Sequence, residues 1–304
     1  MSTNLRSNLG DYFGPGKLPE LEATILAKAE SYPSMIPILY NLETTDTDIY
    51  QTTTLSGLQN PSLKNEGAPV SFQALQPGYD NTITVDTYAT GYRISKEMVR
   101  DGKFNYIQRA TESFAKGQYE VKEIAAASLL TGGFTDTGPD GVSLFNTAHP
   151  LENSGATGSN LGTAAALSIT SFRALRNIMQ DTVNEQGQRV VYSMAYLVVG
   201  QALQDTAKEI VKSMYNPENA NNAINTVYES VQLLPGGYWN YLNSDTNFFI
   251  ISQKNEHSLT WLDRQPLEVT SDYDKHAFAH EIIGDTRWAR DYGSWRGVVG
   301  NAGA

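Results

Sequence analysis

Apolar and polar positions recur with different periods along the chain, and the changes of period mark its elements. Ile49-Tyr50-Gln51-Thr52-Thr53-Thr54-Leu55 is β-branched and aromatic, a strand composition. Asn81 to Ile94 alternates, with Ile83 and Val85 in one phase and Tyr88, Tyr92 and Ile94 in the other, which predicts a strand with a bulge near Asp86-Thr87. Between these runs, Gly57 to Gly78 is rich in turn formers (Asn60-Pro61, Gly67-Ala68-Pro69, Pro77-Gly78) and poor in large apolar residues. A long connection without a core is usually functional or disordered, and here the flanking strands predict a projecting hairpin over 44–94. Ser95 is placed to cap a short helix over Lys96 to Asp101. From Phe104 to Leu130 the period becomes helical, with Ile107, Ala110, Phe114, Val121, Ile124, Ala125 and Leu129 on one side and Gly132-Gly133 as the stop. Such a helix is about 40 Å long.

The remaining segments read less sharply. Residues 1–43 are broken by Gly14-Pro15-Gly16, Pro19, Pro33 and Pro37, leaving one short helix between Pro19 and Ser31. An arm this broken cannot build its own core. Residues 131–168 form a Gly/Thr/Asn/Ser-rich connector anchored by Leu144-Phe145 and Leu151. A mixed block follows: a helix over Ser171–Glu185 capped by Thr170, a strand over Val190–Val199, a helix over Gln201–Met214, and strands over Thr226–Leu234 and Asn247–Ser252. The tail from Ala277 to Val299 reads as β. The fold class is α+β.

Composition narrows the function. The length, 304 residues, suits about two domains. There are 22 Lys+Arg against 33 Asp+Glu, a net charge of −11, which argues against a dedicated binder of nucleic-acid phosphates. No cysteine is present, so disulfides, thiolate nucleophiles and Cys-ligated metals are excluded. No run of about 18 apolar residues offers a membrane-spanning helix. The first residues lack the layout of a signal peptide, which leads to an expectation of synthesis in a cytoplasm.

Candidate chemistry is sparse. His276 and His280 stand at i and i+4, a spacing that holds a metal on a helix. The surrounding pattern favours a strand, and Ala277 takes the place where a zinc-protease signature has Glu. His149 lies in a loop with no strained Gly-x-Ser-x-Gly turn to partner it. No phosphate loop or dinucleotide fingerprint occurs. The expectation is no enzyme, cofactor or metal. The open alternative is a two-domain α/β enzyme using His149 or the His276/His280 pair. Removing these histidines is expected to leave an assembly protein intact.

The order of parts resembles the major capsid proteins of tailed bacteriophages, the fold of phage Hong Kong ninety-seven. Thr54-Leu55-Ser56-Gly57-Leu58 and Glu66-Gly67-Ala68-Pro69 lie where that family's extended loop begins and turns. Tyr92-Arg93-Ile94-Ser95-Lys96-Glu97-Met98-Val99-Arg100-Asp101 looks like the lead into its spine helix, and Leu144-Phe145-Asn146-Thr147-Ala148-His149-Pro150 is similar to a string of Mu-like major head subunits. The resemblance implies an N-terminal arm (1–43), an extended loop (44–94), a peripheral domain (95–165 with 272–304) and an axial domain (166–271). It implies self-assembly as pentamers and hexamers into an icosahedral shell around double-stranded DNA, without sequence-specific binding. The expected partners are further copies of the chain, separate scaffold and portal proteins, and decoration proteins. The expected location is the virion, after assembly in a host bacterial cytoplasm. An encapsulin-like compartment shell is the alternative within the same fold. The family's covalent cross-link would need a loop lysine and a neighbour's asparagine, for which Lys64 and Asn301 are the candidates. Arm and loop lack cores, so Ile49, Leu55, Phe72, Tyr79 and Tyr88 are expected at inter-subunit contacts, with strand addition pairing their backbone groups.

Overall fold

The computed structural model describes residues 18–55, 61, 63–67, 69–70, 72, 77–151, 155–215 and 224–304. The first part of the expected arm, 1–17, lies outside the described residues, as do parts of the loop between the two hairpin strands and the side chain of Leu55.

The first half runs α1 (Leu18–Glu30), α2 (Ile36–Leu39), β1 (Asn41–Thr44), β2 (Ile49–Leu55), β3 (Pro77–Thr84), β4 (Asp86–Ser95), α3 (Lys96–Arg100) and α4 (Phe104–Gly132). After it come β5 (His149–Pro150), β6 (Thr157–Gly158), α5 (Ile169–Gln180), β7 (Met194–Val199), α6 (Gln204–Lys212) and β8 (Gln232–Leu233). The chain finishes with β9 (Phe248–Ser252), β10 (Leu259–Asp274), β11 (Ala279–Tyr292) and β12 (Val298–Asn301).

Two four-stranded sheets carry the body. The first has the order β1-β10-β11-β4 and the second β12-β9-β7-β8; β2 and β3 form a separate two-stranded ribbon. β10 and β11 pair from Leu259–Tyr292 to Asp274–Ala279, with register shifts on either side of Gln265. Those shifts accommodate Pro266, which cannot donate to a ladder. They also explain why β10 is absent from the sequence reading: Arg264-Gln265-Pro266 interrupts its alternation.

One face of the first sheet is covered by α1 and α4. Leu21 and Ile25 of α1, Ile107 and Ala115 of α4, and Ile94, Val269 and Ile282 of the sheet form one buried cluster. Ala126, Ala127 and Leu130, further along α4, join a second cluster with Trp261, Trp288 and Tyr292. Ile124, expected on the buried stripe, is half exposed; small residues at 115, 126 and 127 instead let the helix lie close to the sheet. Gly284 serves the same approach, because a Cβ there would stand 2.9 Å from the Phe114 ring.

The second sheet is covered on both faces. Successive residues of β9 point to opposite sides. Phe249 and Ile251 therefore enter the cluster shared with α4, while Phe248 and Ile250 enter one with Phe172, Leu175 and Met179 of α5. This is why Phe248-Phe249-Ile250-Ile251 is a continuous apolar run.

Boundaries shift where side chains take over backbone hydrogen bonds. Ser168, not Thr170, caps α5: its hydroxyl accepts from the Ser171 amide while the Ser171 hydroxyl accepts from the Ser168 amide. The helix stops at Gln180, five residues before the expected end, because a bend over 181–190 closes through Val190 N–H to Thr182 C=O. The strand expected over Thr226–Leu234 shrinks to Gln232–Leu233; Asn225 holds a turn there, donating to the Ile210 and Ser213 carbonyls. The β tail expected from Ala277 begins after a reversal at 275–278.

The arm is tied down by one buried carboxylate. Glu123 on α4 accepts from Ser34 Oγ at 2.5 Å, Met35 N at 3.1 Å and Trp239 Nε1 at 3.0 Å. Burial pushes its carboxyl upward, and these donors oppose the shift. Tyr40 adds a buried bond from its hydroxyl to the Ala126 carbonyl at 2.6 Å. Glu123→Ala would strand three donors and is expected to lower unfolding stability by about 2–4 kcal/mol, read from denaturant titration.

Candidate functional site

The ribbon β2–β3 forms where the sequence pattern predicts strands, but these strands lie on the body rather than projecting from it: Ile83 is buried with Leu262 and Ala289, and Asn81 Nδ2 donates to the Tyr292 carbonyl at 3.2 Å. Ile49 pairs with Thr84 and Thr53 with Asp80, and a register shift precedes the Leu55–Pro77 pair. Thr53 Oγ1 donates to Asp80 Oδ1 at 2.6 Å and Thr54 Oγ1 to the Tyr79 carbonyl at 3.1 Å. Gly78 is required opposite Thr54, where a Cβ would come within 2.9 Å of its carbonyl oxygen. The bulge expected near Asp86-Thr87 is absent, since the β4–β11 register runs unbroken through both residues; the strands instead divide at Val85, whose N–H donates to the Asp48 carbonyl at 2.9 Å. Beyond it the same strand direction changes sheet: β3 pairs with β2, whereas β4 pairs with β11.

The five residues expected at inter-subunit contacts have different surroundings. Phe72 is 95% exposed and Ile49 50% exposed. Leu63 and Val70, in the same loop as Phe72, are also exposed. Tyr79 is half-buried and donates from its hydroxyl to the Pro150 carbonyl at 3.3 Å. Tyr88 is half-buried and stacks on Trp288 with ring centroids 4.1 Å apart. Ile49 and Tyr79 lie at opposite ends of the ribbon, roughly 15–17 Å apart at strand rise. The five residues therefore do not make one patch.

A cleft of about 430 Å³ opens where the ribbon meets the body, lined by Thr54, Tyr79, Tyr192, His257, Tyr292 and Trp295 among others. His257 is buried, and its Nδ1 accepts from the Leu259 amide at 3.2 Å. Burial first, and the Lys254 cation second, hold its imidazole down at about 4, with Glu256 opposing.

His149 forms a structural junction. It is fully buried, with Nδ1 2.6 Å from Asp140 Oδ2 and Nε2 3.0 Å from Asn160 Oδ1. Its ring stacks on Trp295 at 4.5 Å, and the Arg296 guanidinium lies 4.8 Å from the same indole. Asn160 also donates to the carbonyls of Leu144, Trp295 and Val298. Gly158, paired with His149, is the residue that admits the indole: a Cβ would sit 2.5 Å from it. His149 is thus a structural residue rather than a loop histidine without partners, because this network joins the 131–168 connector to the C-terminal strand.

The other candidates separate. His276 sits in the exposed reversal between β10 and β11, and His280 in β11 packs against Tyr273 at 4.9 Å. Among the described residues no group of three or more His, Asp or Glu is arranged to hold a metal. Lys64 is exposed, whereas Asn301 is buried and engaged within the chain, donating to the Thr163 carbonyl and accepting from Gly303. The sequence reading missed the exposed Met214, Tyr215 and Ile224. Their signal was the turn formers Asn216-Pro217 directly after Tyr215.

A model of the phage capsid protein family matches residues 79–300, from the ribbon to the last strand. The chain belongs to the phage capsid protein family. Its role is that of a structural capsid subunit. A comparison with curated proteins finds no match. Among solved structures it is similar to the asymmetric unit of the bacteriophage PhiM1 mature capsid, at TM-score 0.62 and 10% identity over 90% of this chain and 88% of that one. It is similar to the bacteriophage JBD30 capsid decorated with minor capsid protein trimers, at TM-score 0.54 and 17% identity over 70% and 92%. The virus-like particle from Pyrococcus furiosus also shares the fold, at TM-score 0.54 and 8% identity over 93% and 98%.

Two outcomes follow for this capsid protein. His149→Ala is expected to destabilise the subunit by about 2–4 kcal/mol in denaturant unfolding, by leaving Asp140 and Asn160 without their shared partner. The folded value of His257 lies below the ordinary 6.5, so the unfolded chain takes up that proton first. The contribution is complete above pH 6.5 and is lost as pH falls toward 4. The full loss is on the order of 3 kcal/mol, readable as a falling Tm.

Proposed function

We propose that copies of this chain close into an icosahedral shell of pentamers and hexamers that encloses double-stranded DNA. One observation carries the reading: the two-stranded ribbon lies on a body with its own core, while the loop between its strands exposes Leu63, Val70 and Phe72. A ribbon of two strands is marginal by itself, and its apolar loop finds cover on a neighbour. Ile49 and Phe72 present the apolar surface, with Leu55 and Tyr79 along the same hairpin and Tyr88 in the strand that follows it. The arm is 1–43, the extended loop 44–94, the peripheral domain 95–165 with 272–304, and the axial domain 166–271. Assembly takes place in a bacterial cytoplasm with separate scaffold and portal proteins. The decorated JBD30 capsid supports decoration proteins as further partners. The net charge of −11 suits a wall that does not adhere to the DNA inside.

Negative-stain microscopy of native particles tests the reading: closed shells or capsomer rings are expected, and a fixed dimer or tetramer would overturn it. Deleting 57–78 is expected to abolish shell closure while the far-ultraviolet helix signal of α4 persists. Normal shells from that deletion would remove the loop from the assembly mechanism.

A further inference from the structure

A cavity of about 500 Å³ lies between the arm helix α1, the long helix α4 and the strands β1 and β10. Part of its wall is apolar: Leu26 and Ala29 of α1, and Pro266 and Leu267 of β10. Tyr32 and Tyr119 also line it, stacked with ring centroids 5.2 Å apart. The other lining groups include donors that the fold leaves unused. Gln118 of α4 is 5% exposed, yet its side-chain amide makes no hydrogen bond among the described residues. Arg264 of β10 is half-buried; its Nη1 is shut from solvent without an acceptor, and no carboxylate pairs with its guanidinium among the described residues. Lys122, one turn from Gln118 on the same face of α4, has a long contact of 3.7 Å to Asp263 Oδ1.

Such groups are costly to leave idle. A buried amide without a partner loses the hydrogen bonds it had in water, and a guanidinium stays charged because it does not deprotonate in proteins. The chain has 33 Asp+Glu against 22 Lys+Arg, so a shortage of acids does not explain an unpaired arginine. The carboxylates around the cavity are committed or remote in effect. Asp263 accepts from Trp261 Nε1 at 3.1 Å, and Glu123 is taken by Ser34, Met35 and Trp239. Glu30 and Asp46 are exposed, where water and salt screen them. We propose that this cavity is a binding site for a small organic carboxylate with an apolar body. The carboxylate accepts from the Arg264 guanidinium, whose planar fork suits it, and from the Gln118 amide, with Lys122 adding positive charge. The apolar body lies against Leu26, Ala29, Pro266 and Leu267, which gives the mixed lining usual for small-molecule sites. Because α1, α4 and β10 all contribute, a bound molecule fastens the arm helix to the body. The site does not depend on the shell reading.

Octanoate is the probe, titrated into the purified full chain by isothermal calorimetry, with octan-1-ol and octylamine as controls of matched length. Saturable binding at one site is expected for octanoate, about tenfold or more tighter than for octan-1-ol, and none for octylamine. Arg264→Gln and Gln118→Leu are each expected to weaken octanoate by about tenfold or more. Lys28→Gln, at an exposed position of α1 outside the cavity, is expected to leave binding unchanged. Without ligand, Arg264→Gln is expected to keep or raise the Tm, because it removes an unpaired charge; an arginine with a purely structural role would lower it. Octan-1-ol binding as tightly as octanoate would show an apolar cavity without carboxylate recognition and overturn the proposal. Octanoate that fails to saturate, or that binds both cavity variants as well as the natural chain, would also overturn it. If free octanoate does not bind while Arg264→Gln blocks capsomer formation, the carboxylate is an Asp or Glu side chain of a neighbouring chain, and the small-molecule site is refuted.

Discussion

The long helix α4 has to lie against a sheet at close range, and the rest of the subunit depends on that contact. Its small residues Ala115, Ala126 and Ala127 face the sheet, and Gly284 of β11 yields room for Phe114. One end of the helix shares a core with α1 and the sheet; the other shares a core with the tryptophans of β10 and β11 and with β9. A helix of 29 residues thus acts as a rod joining two clusters that would otherwise be separate. Packing losses at such a contact are felt at both ends, because interiors are close-packed.

Polar junctions then fix the segments that have no apolar stripe of their own. Glu123 holds the arm and the Trp239 segment to the helix. Asn160, His149 and Trp295 hold the connector to the C-terminal strand. Each junction spans more than a hundred residues of sequence: Glu123 gathers several donors on one buried carboxylate, and the Asn160 amide donates to three backbone carbonyls. Their value lies in position: a buried group with its partners in place orders a glycine-rich loop that burial alone would leave undirected.

A wall protein needs a stable body together with surfaces that stay unsatisfied until neighbours arrive. This subunit separates the two. Three tryptophans, Trp239, Trp261 and Trp288, are fully buried inside, whereas the loop between the ribbon strands keeps Leu63, Val70 and Phe72 at the surface. The net negative charge opposes indiscriminate association of such surfaces.

Local pattern in the amino-acid sequence determined the ribbon strands, the Ser95-capped turn of helix, the spine helix and the apolar strand β9, because each has a period or a cap set by adjacent residues. It also indicated the capsid family through the order of those parts. Tertiary structure alone decided that β10 is a strand across Pro266, that α5 starts at Ser168, and that Ile124 faces outward. It also decided that Tyr88 stacks inside on Trp288 and that His149 is a junction. In each case the deciding partner is distant in sequence. A strand interrupted by proline is held by its neighbour's register, and a lone histidine takes its role from Asp140, Asn160 and Trp295. Whether a strand is central or an edge is a property of the sheet, and no local pattern carries it.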